Sequence, residues 1–139
     1  MSASPEAVAE AQRWMRYARE ELALAKVLAS DADSPARLVC WHSQQAAEKA
    51  LKAALIINGI GFPRTHNLVA LRALLPSALA EKIDIAELAE LTQWGTESRY
   101  PGDWDEPSDE EAAAMLDAAV GAIAVVEGLV SRAVRKSEG

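Results

Sequence analysis

The sequence predicts an all-α fold, an antiparallel up-and-down bundle of four long helices plus one short helix. Apolar residues recur three and four positions apart over long stretches, whereas no stretch shows the alternation of a β-strand. Capping and turn residues divide the chain into segments with short connections, which is typical of antiparallel bundles. Because the chain has 139 residues, half of them apolar, we expect a single domain over 1–139 with its core at about 5–135.

Helix one is predicted over about 5–30, since Ser4 is a suitable N-cap and Pro5 suits the first helical turn. Its apolar stripe consists of Val8, Ala11, Met15, Ala18, Leu22, Ala25 and Ala29. The polar break 31–34 then separates it from the next helix.

Helix two is predicted from Pro35 to about Asn58. Ser34 is expected to cap it, with Pro35 at the first helical position. Gly59 is expected to end it in a left-handed conformation. Cys40 is the only cysteine, which excludes an internal disulfide, and we expect it to be a small core residue.

Three further helical segments follow. A short helix over 67–75 ends at Pro76, and a longer one is predicted over 79–98. The last helix begins with a capping box, in which Ser108 is the cap and Glu111 lies three residues on. Its apolar residues are Ala112, Leu116, Ala119, Val120, Ile123, Val126 and Val130.

The charge is unevenly distributed. The formal net charge is −7, and residues 81–127 hold thirteen Asp and Glu against two Lys and Arg. This balance argues against a general polyanion-binding protein. An acidic face can serve solubility, or it can dock a basic partner protein. No uninterrupted apolar run is longer than 53–57, which is too short to span a bilayer, so we expect a soluble cytoplasmic protein with no membrane partner.

Helix two carries a line of polar residues on an otherwise apolar surface. At 100° per residue, Gln45, Glu48, Lys49 and Lys52 lie on one side. This line lies in a narrow exposed gap or in a groove between helices, where its groups must satisfy one another. Glu48 and Lys52 have the spacing of a solvated helical salt bridge, whereas the alternative is a groove that binds a ligand or a partner.

Arg99 and Tyr100 form the second candidate site, at the end of the predicted helix 79–98. Arg99 is the only positive charge between Lys82 and Arg132. It can pair with neighbouring carboxylates, or its fixed fork of donors can bind a phosphate with Tyr100 beside it.

The two histidines do not predict a metal site. His42 and His66 lie far apart in sequence and belong to no HExxH or comparable motif. We expect a structural role for His66, in which its ring satisfies a backbone group or packs under the loop. No glycine-rich phosphate loop or nucleophilic serine elbow occurs either. We therefore expect no metal and no cofactor.

Four stretches together resemble the HEPN family, the higher eukaryotes and prokaryotes nucleotide-binding domains. They are the Ala-x-x-Trp pattern in 11–22, QQAAEKALKA at 44–53, FPRTHNL at 62–68 and SRYP at 98–101. The resemblance covers about 8–130. It implies a helical bundle that is commonly a homodimer, often paired with a minimal nucleotidyltransferase in a two-component, toxin–antitoxin-like system.

The resemblance also implies a ribonuclease motif, which this chain lacks in part. Many members carry an arginine followed after four to six residues by a histidine. Arg99 matches the arginine, but Trp104, Asp105 and Glu106 stand where the histidine is expected. Imidazole is the usual group for moving protons near neutral pH, and six carboxylates in 103–111 would repel a phosphate backbone.

We therefore interpret the chain as a non-catalytic HEPN-like domain that binds a nucleotide, a minimal nucleotidyltransferase partner, or both. The candidate binding residues are Arg99, Tyr100, Lys52, Glu48 and Gln45. One alternative is a divergent metal-independent ribonuclease using Arg99 with Tyr100 or an acidic residue, the only role in which we expect nucleic-acid binding. Another is a structural or regulatory dimer without a ligand.

Overall fold

The computed structural model of the chain describes residues 3–95 and 101–139. Its helices are α1 (Pro5–Ala29), α2 (Ala36–Ile57), α3 (Leu68–Ala73), α4 (Ser77–Ala80), α5 (Ile85–Thr92) and α6 (Asp109–Glu138). A 3₁₀ turn, Gln93–Gly95, follows α5. The described residues contain no β-strand, and the predicted all-α bundle is confirmed.

Helices α1, α2 and α6 pack against one another around an alanine-rich core. Helix α1 runs antiparallel to both of the others. Leu28, near its C-terminus, lies close to Val39 of α2 and Ala112 of α6, whereas Arg19, nearer its middle, forms an ion pair with Glu127 of α6. Many core positions are Ala, whose small side chain lets the helix axes approach closely. Cys40 is fully buried among these residues, as predicted.

The ends of the long helices follow the predicted caps, with one exception. The Ser4 hydroxyl accepts from the Ala7 amide, and the capping box at the start of α6 is complete. Gly59 has a positive φ of 67° after α2. The prediction for Ser34 was wrong, since Pro35 occupies the N-cap of α2 and the Ser34 hydroxyl bonds Asp31 instead.

The predicted continuous helix over 79–98 was also wrong. The segment forms α4 and α5 with a break between them, and the 3₁₀ turn follows α5. The last part of the predicted helix, 96–98, lies outside the described residues. The break has a local cause, because the Asp84 carboxylate accepts from the amide of Glu87 and so starts a new helix. Helix α5 packs against α3 and α6 and closes the bundle.

Helix α6 is long and apolar enough, by length and composition alone, to cross a bilayer. The lengths of the uninterrupted apolar runs do not indicate this property, because Asp117 and Glu127 divide the apolar part of α6. Its Met115, Ile123 and Val126 are buried in the bundle, and core helices of soluble proteins meet the same criterion.

Candidate functional site

The polar line of α2 contains a buried ion pair. Lys52 Nζ donates to Glu48 Oε2 at 2.9 Å, and the two residues are only 8% and 5% exposed. The predicted i, i+4 pair is therefore formed, but it is not solvated. Removing two charges from water costs free energy, so further hydrogen bonds are required to stabilise the pair.

Two groups supply those bonds to the other Glu48 oxygen. His66 Nδ1 lies 2.8 Å from Oε1, and Gln44 Nε2 donates to the same oxygen at 3.2 Å. Gln44 also donates to the His66 carbonyl oxygen at 3.1 Å and accepts from Gln45 Nε2 at 2.7 Å. We call Gln44, Gln45, Glu48, Lys52 and His66 the Glu48 cluster.

The Glu48 cluster favours the ionised carboxylate. Burial raises the pKa of Glu48, but hydrogen bonds from Lys52, His66 and Gln44, together with the positive charge of Lys52, hold the pKa below its ordinary value. Glu48 is therefore an anion at neutral pH, and it accepts hydrogen bonds rather than donating them.

Aromatic rings cover the ammonium group of Lys52. Its Nζ lies 5.7 Å from the ring centroid of Trp14 on α1 and 5.8 Å from that of Phe62 in the loop after α2. The two rings contact each other edge to face at 6.5 Å. The two rings therefore help to exclude water from the Lys52 ammonium group.

The Glu48 cluster contacts the chain that leads to Arg99. Gly95, the last described residue before 96–100, packs against the Gln44 side chain so closely that a Cβ on it would lie 2.7 Å from Gln44 Cδ. Arg99 and Tyr100 themselves lie outside the described residues. On either side of that segment, Trp94 and Trp104 stack edge to face at 5.5 Å.

A second polar group links α1 and α2, and it takes Lys49 away from the Glu48 cluster. The Glu21 carboxylate accepts from Lys49 Nζ at 2.8 Å and lies 2.7 Å from His42 Nδ1. Burial raises the pKa of Glu21, but hydrogen bonds from Lys49 and His42 outweigh it and lower the pKa overall. Tyr17 and Leu24 line an open groove beside this group.

Sequence reasoning missed three contributors to these clusters. Gln44 has the i, i+4 spacing to Glu48 that the pair with Lys52 also uses, so the pattern contained that signal. Glu21 and Trp14 contact α2 only because α1 packs antiparallel to it, and nothing local in the sequence indicates those contacts. No group of three His, Cys, Asp or Glu suited to a metal ion occurs among residues 3–95 and 101–139.

The observed contacts of His66 differ in part from the expected structural role. Its side chain is 56% exposed, and its ring bonds a carboxylate rather than a backbone group. Its backbone carbonyl accepts from Gln44, so the residue is held to α2 at two points.

Comparison with known proteins finds a matching family and a related sequence. The model of the HEPN domain family matches residues 11–129. A stretch of 54 residues is 46% identical to "Putative toxin MJ1304" of Methanocaldococcus jannaschii; it covers 39% of this chain and 34% of that protein. The chain therefore spans about a third of the length of that relative.

Two solved structures share the fold. ST0689, an archaeal HEPN homologue, has a TM-score of 0.68 and 26% identity over 86% of this chain and 97% of its own. TT1696 from Thermus thermophilus has a TM-score of 0.67 and 28% identity over 85% of this chain and 96% of its own.

Proposed function

Since the chain belongs to the HEPN family, we propose that it is the non-catalytic HEPN component of a two-component, toxin–antitoxin-like system. In this role it binds a nucleotide, a minimal nucleotidyltransferase partner, or both, and it acts as a cytoplasmic homodimer. The 46% identity to a stretch of a protein named as a toxin supports the toxin–antitoxin setting.

The single observation that carries the proposal is the contact between Gly95 and Gln44. Gln44 belongs to the Glu48 cluster, and Gly95 is four residues before Arg99. The proposal therefore joins the Glu48 cluster to Arg99 through their proximity in the sequence at Gly95. In this proposal the phosphate of the ligand binds Arg99, and the half-exposed ring of His66 in the Glu48 cluster is available for a further contact.

The chemistry of the Glu48 cluster favours binding over catalysis. Glu48 and Lys52 are buried, and each satisfies the other, so neither is poised to move a proton. Gln45 is only partly buried, and its amide oxygen is an acceptor for a base or a ribose hydroxyl.

Thermal unfolding with a panel of nucleotides tests the ligand. Binding to the native state alone stabilises it by about 2.7 kcal/mol at a ligand concentration of 100 Kd. We expect one nucleotide to raise the melting temperature of the wild type and of Lys26→Ala, an exposed lysine at the far end of α1, but not of Arg99→Ala. An equal rise in Arg99→Ala would remove Arg99 from the site.

Co-expression with a minimal nucleotidyltransferase encoded beside this chain tests the partner. We expect the two proteins to co-purify as a complex. A flat nucleotide panel together with no complex would reject both forms of the proposal and leave the structural dimer, in which the Glu48 cluster only stabilises the bundle.

A divergent ribonuclease is the second candidate, and His66 is the observation that favours it. Its Nδ1 is engaged by Glu48, which leaves Nε2 of a half-exposed imidazole as the remaining proton acceptor. This imidazole would stand in for the one missing after Arg99. RNA cleavage by the purified protein that is lost in both His66→Ala and Arg99→Ala would establish this function, whereas absence of cleavage would eliminate it.

A further inference from the structure

The polar group that links α1 and α2 lines an open groove with a volume of about 250 Å³. We call it the Glu21 groove, and its walls are formed by Tyr17, Glu20, Glu21, Leu24, His42 and Lys49. The side chains of Glu21, His42 and Lys49 are each only about one-fifth exposed, so three titratable groups are held together in a mostly buried position. None of the six residues belongs to the Glu48 cluster. The Glu21 groove is therefore a second candidate site.

The Glu21 carboxylate uses both of its oxygens within this polar group. Oε1 accepts from Lys49 Nζ at 2.8 Å, and Oε2 lies 2.7 Å from His42 Nδ1. Because an ionised carboxylate can only accept, His42 Nδ1 carries a proton, and Nε2 of the neutral ring is left as an acceptor. An ammonium group has three N–H donors, so two donors of Lys49 also remain. The group is paired internally but keeps one acceptor and two donors for a ligand.

Helix α1 adds a free carboxylate and an apolar wall to the Glu21 groove. Glu20 is exposed, and within the described ranges its carboxylate forms no ion pair. Tyr17 and Leu24 are 51% and 43% exposed, and both line the groove. The guanidinium carbon of Arg16 lies 5.4 Å from the ring centroid of Tyr17, and this cation–π contact restrains the ring. Opposite charges and apolar surface thus line one groove.

These groups define the charge and the size of a suitable ligand. The remaining donors of Lys49 require an acceptor, whereas the Glu20 carboxylate and His42 Nε2 require donors. A simple cation would be repelled by Lys49, and a simple anion would be repelled by Glu20, but a zwitterion satisfies both. A volume of about 250 Å³ holds roughly eight water molecules, which is the size of a single amino acid.

We propose that the Glu21 groove binds a free α-amino acid with an apolar side chain. The ammonium group of the ligand donates to the Glu20 carboxylate and to His42 Nε2, and its carboxylate accepts from Lys49 Nζ. Its side chain packs on Tyr17 and Leu24, where it removes apolar surface from water. This binding uses neither Arg99 nor the Glu48 cluster, so it goes beyond the proposed function and does not rest on it.

Two other grooves offer less to a zwitterion. In the groove on the surface of α1, Glu10 and Arg13 form an ion pair with each other, so their charges are already satisfied. The groove at the start of α6 is lined by the carboxylates of Asp31, Asp109 and Asp117, and its lining residues include no lysine, arginine or histidine. The Glu21 groove differs from both because it presents a free acceptor and free donors together.

An NMR titration with phenylalanine locates and tests the site. We expect the chemical shifts of the backbone amides in 17–24 and 42–49 to change at millimolar phenylalanine, since a small ligand in an open groove binds weakly. Phenethylamine lacks the carboxylate and 3-phenylpropionate lacks the ammonium group, so each should bind about tenfold more weakly through the loss of charge-assisted hydrogen bonds. Equal binding of either analogue would overturn the zwitterion, and unchanged shifts with all three ligands would overturn the site.

Two variants assign each charge of the ligand to a residue. Glu20→Gln should weaken the binding of phenylalanine about tenfold without weakening that of 3-phenylpropionate, which has no ammonium group. Lys49→Met should weaken phenylalanine but not phenethylamine, and the NMR spectrum itself shows whether this variant is folded. Glu81→Gln removes an exposed carboxylate outside the groove and is the control.

The exposed Glu20 carries the test even where Lys49→Met fails to fold. Wild-type affinity for phenylalanine in Glu20→Gln would overturn the assignment, as would an equal loss for phenylalanine and 3-phenylpropionate. Nucleotide-induced stabilisation should be the same in Glu20→Gln as in the wild type, because the groove lies outside the nucleotide site of the proposed function.

Discussion

Glu48 of α2 and His66 of the loop before α3 are joined at 2.8 Å, between Oε1 and Nδ1. They are 18 residues apart in the sequence, yet their contact fastens the loop over the polar line of α2. Because Gln44 also bonds the His66 carbonyl oxygen, one turn of α2 holds the loop through both a side chain and the backbone. The Glu48 cluster is therefore a structural junction as well as a candidate site.

Replacing Lys52 should destabilise the fold more than replacing Lys49. Lys52→Met leaves Glu48 buried without its ammonium partner and is expected to lower the free energy of unfolding by about 3 kcal/mol. Lys49→Met should cost less, because Glu21 is more exposed than Glu48 and keeps His42 as a partner. Urea unfolding at pH 7 measures both, and equal losses would contradict the special burial of Lys52.

Stability should fall in acid, and Glu48 should contribute to the fall. The folded pKa of Glu48 lies below its ordinary value of 4.5, so its stabilising contribution is complete above about pH 4.5. It is lost as the pH falls through the folded pKa. We expect the free energy of unfolding, measured in urea between pH 7 and pH 3, to fall less steeply for Glu48→Gln than for the wild type. Glu81→Gln, at an exposed position, should retain the wild-type slope.

Gly95→Ala should destabilise the protein by displacing a side chain of the Glu48 cluster. The new methyl group would overlap Gln44, whose side chain is fully buried and hydrogen-bonded to Glu48. Displacing it is expected to cost about 1–3 kcal/mol, seen as a lower melting temperature. Gly61→Ala is the control, since a Cβ there meets nothing, and its effect should stay within about 1 kcal/mol. Matching effects would mean that Gly95 is not needed for packing.

Ser43→Ala should stabilise the protein. The Ser43 hydroxyl is fully buried in α2 and has no hydrogen-bond partner among the described residues. An unsatisfied buried polar group costs about 1–3 kcal/mol, and alanine is also the better helix former. We expect the free energy of unfolding to rise by about 1 kcal/mol, measured in urea. Loss of stability in Ser43→Ala would show that the hydroxyl is satisfied in solution.

The long helices could be predicted because their signals are local. The ends of α1 and α2 lie within a residue or so of the predicted bounds, since apolar periodicity and the residues at the helix ends depend only on near neighbours. The break between α4 and α5 was not predicted. The Asp84 carboxylate accepts from the Glu87 amide and so begins a new helix in place of continuing the old one. Apolar periodicity does not indicate this cap.

The sequence by itself determined the helical architecture, the polar line on α2 and the family, because spacing and residue type carry that information. Only the tertiary structure decided how that line is used. Antiparallel packing of α1 assigned Lys49 to Glu21, while Lys52 stayed with Glu48 beneath Trp14. The fold of the loop brought His66 to the same carboxylate. Glu21, Trp14 and His66 lie 18 to 38 residues along the chain from the α2 side chains that they contact. Because these charged groups are buried, each must have a partner, and only the folded core supplies it.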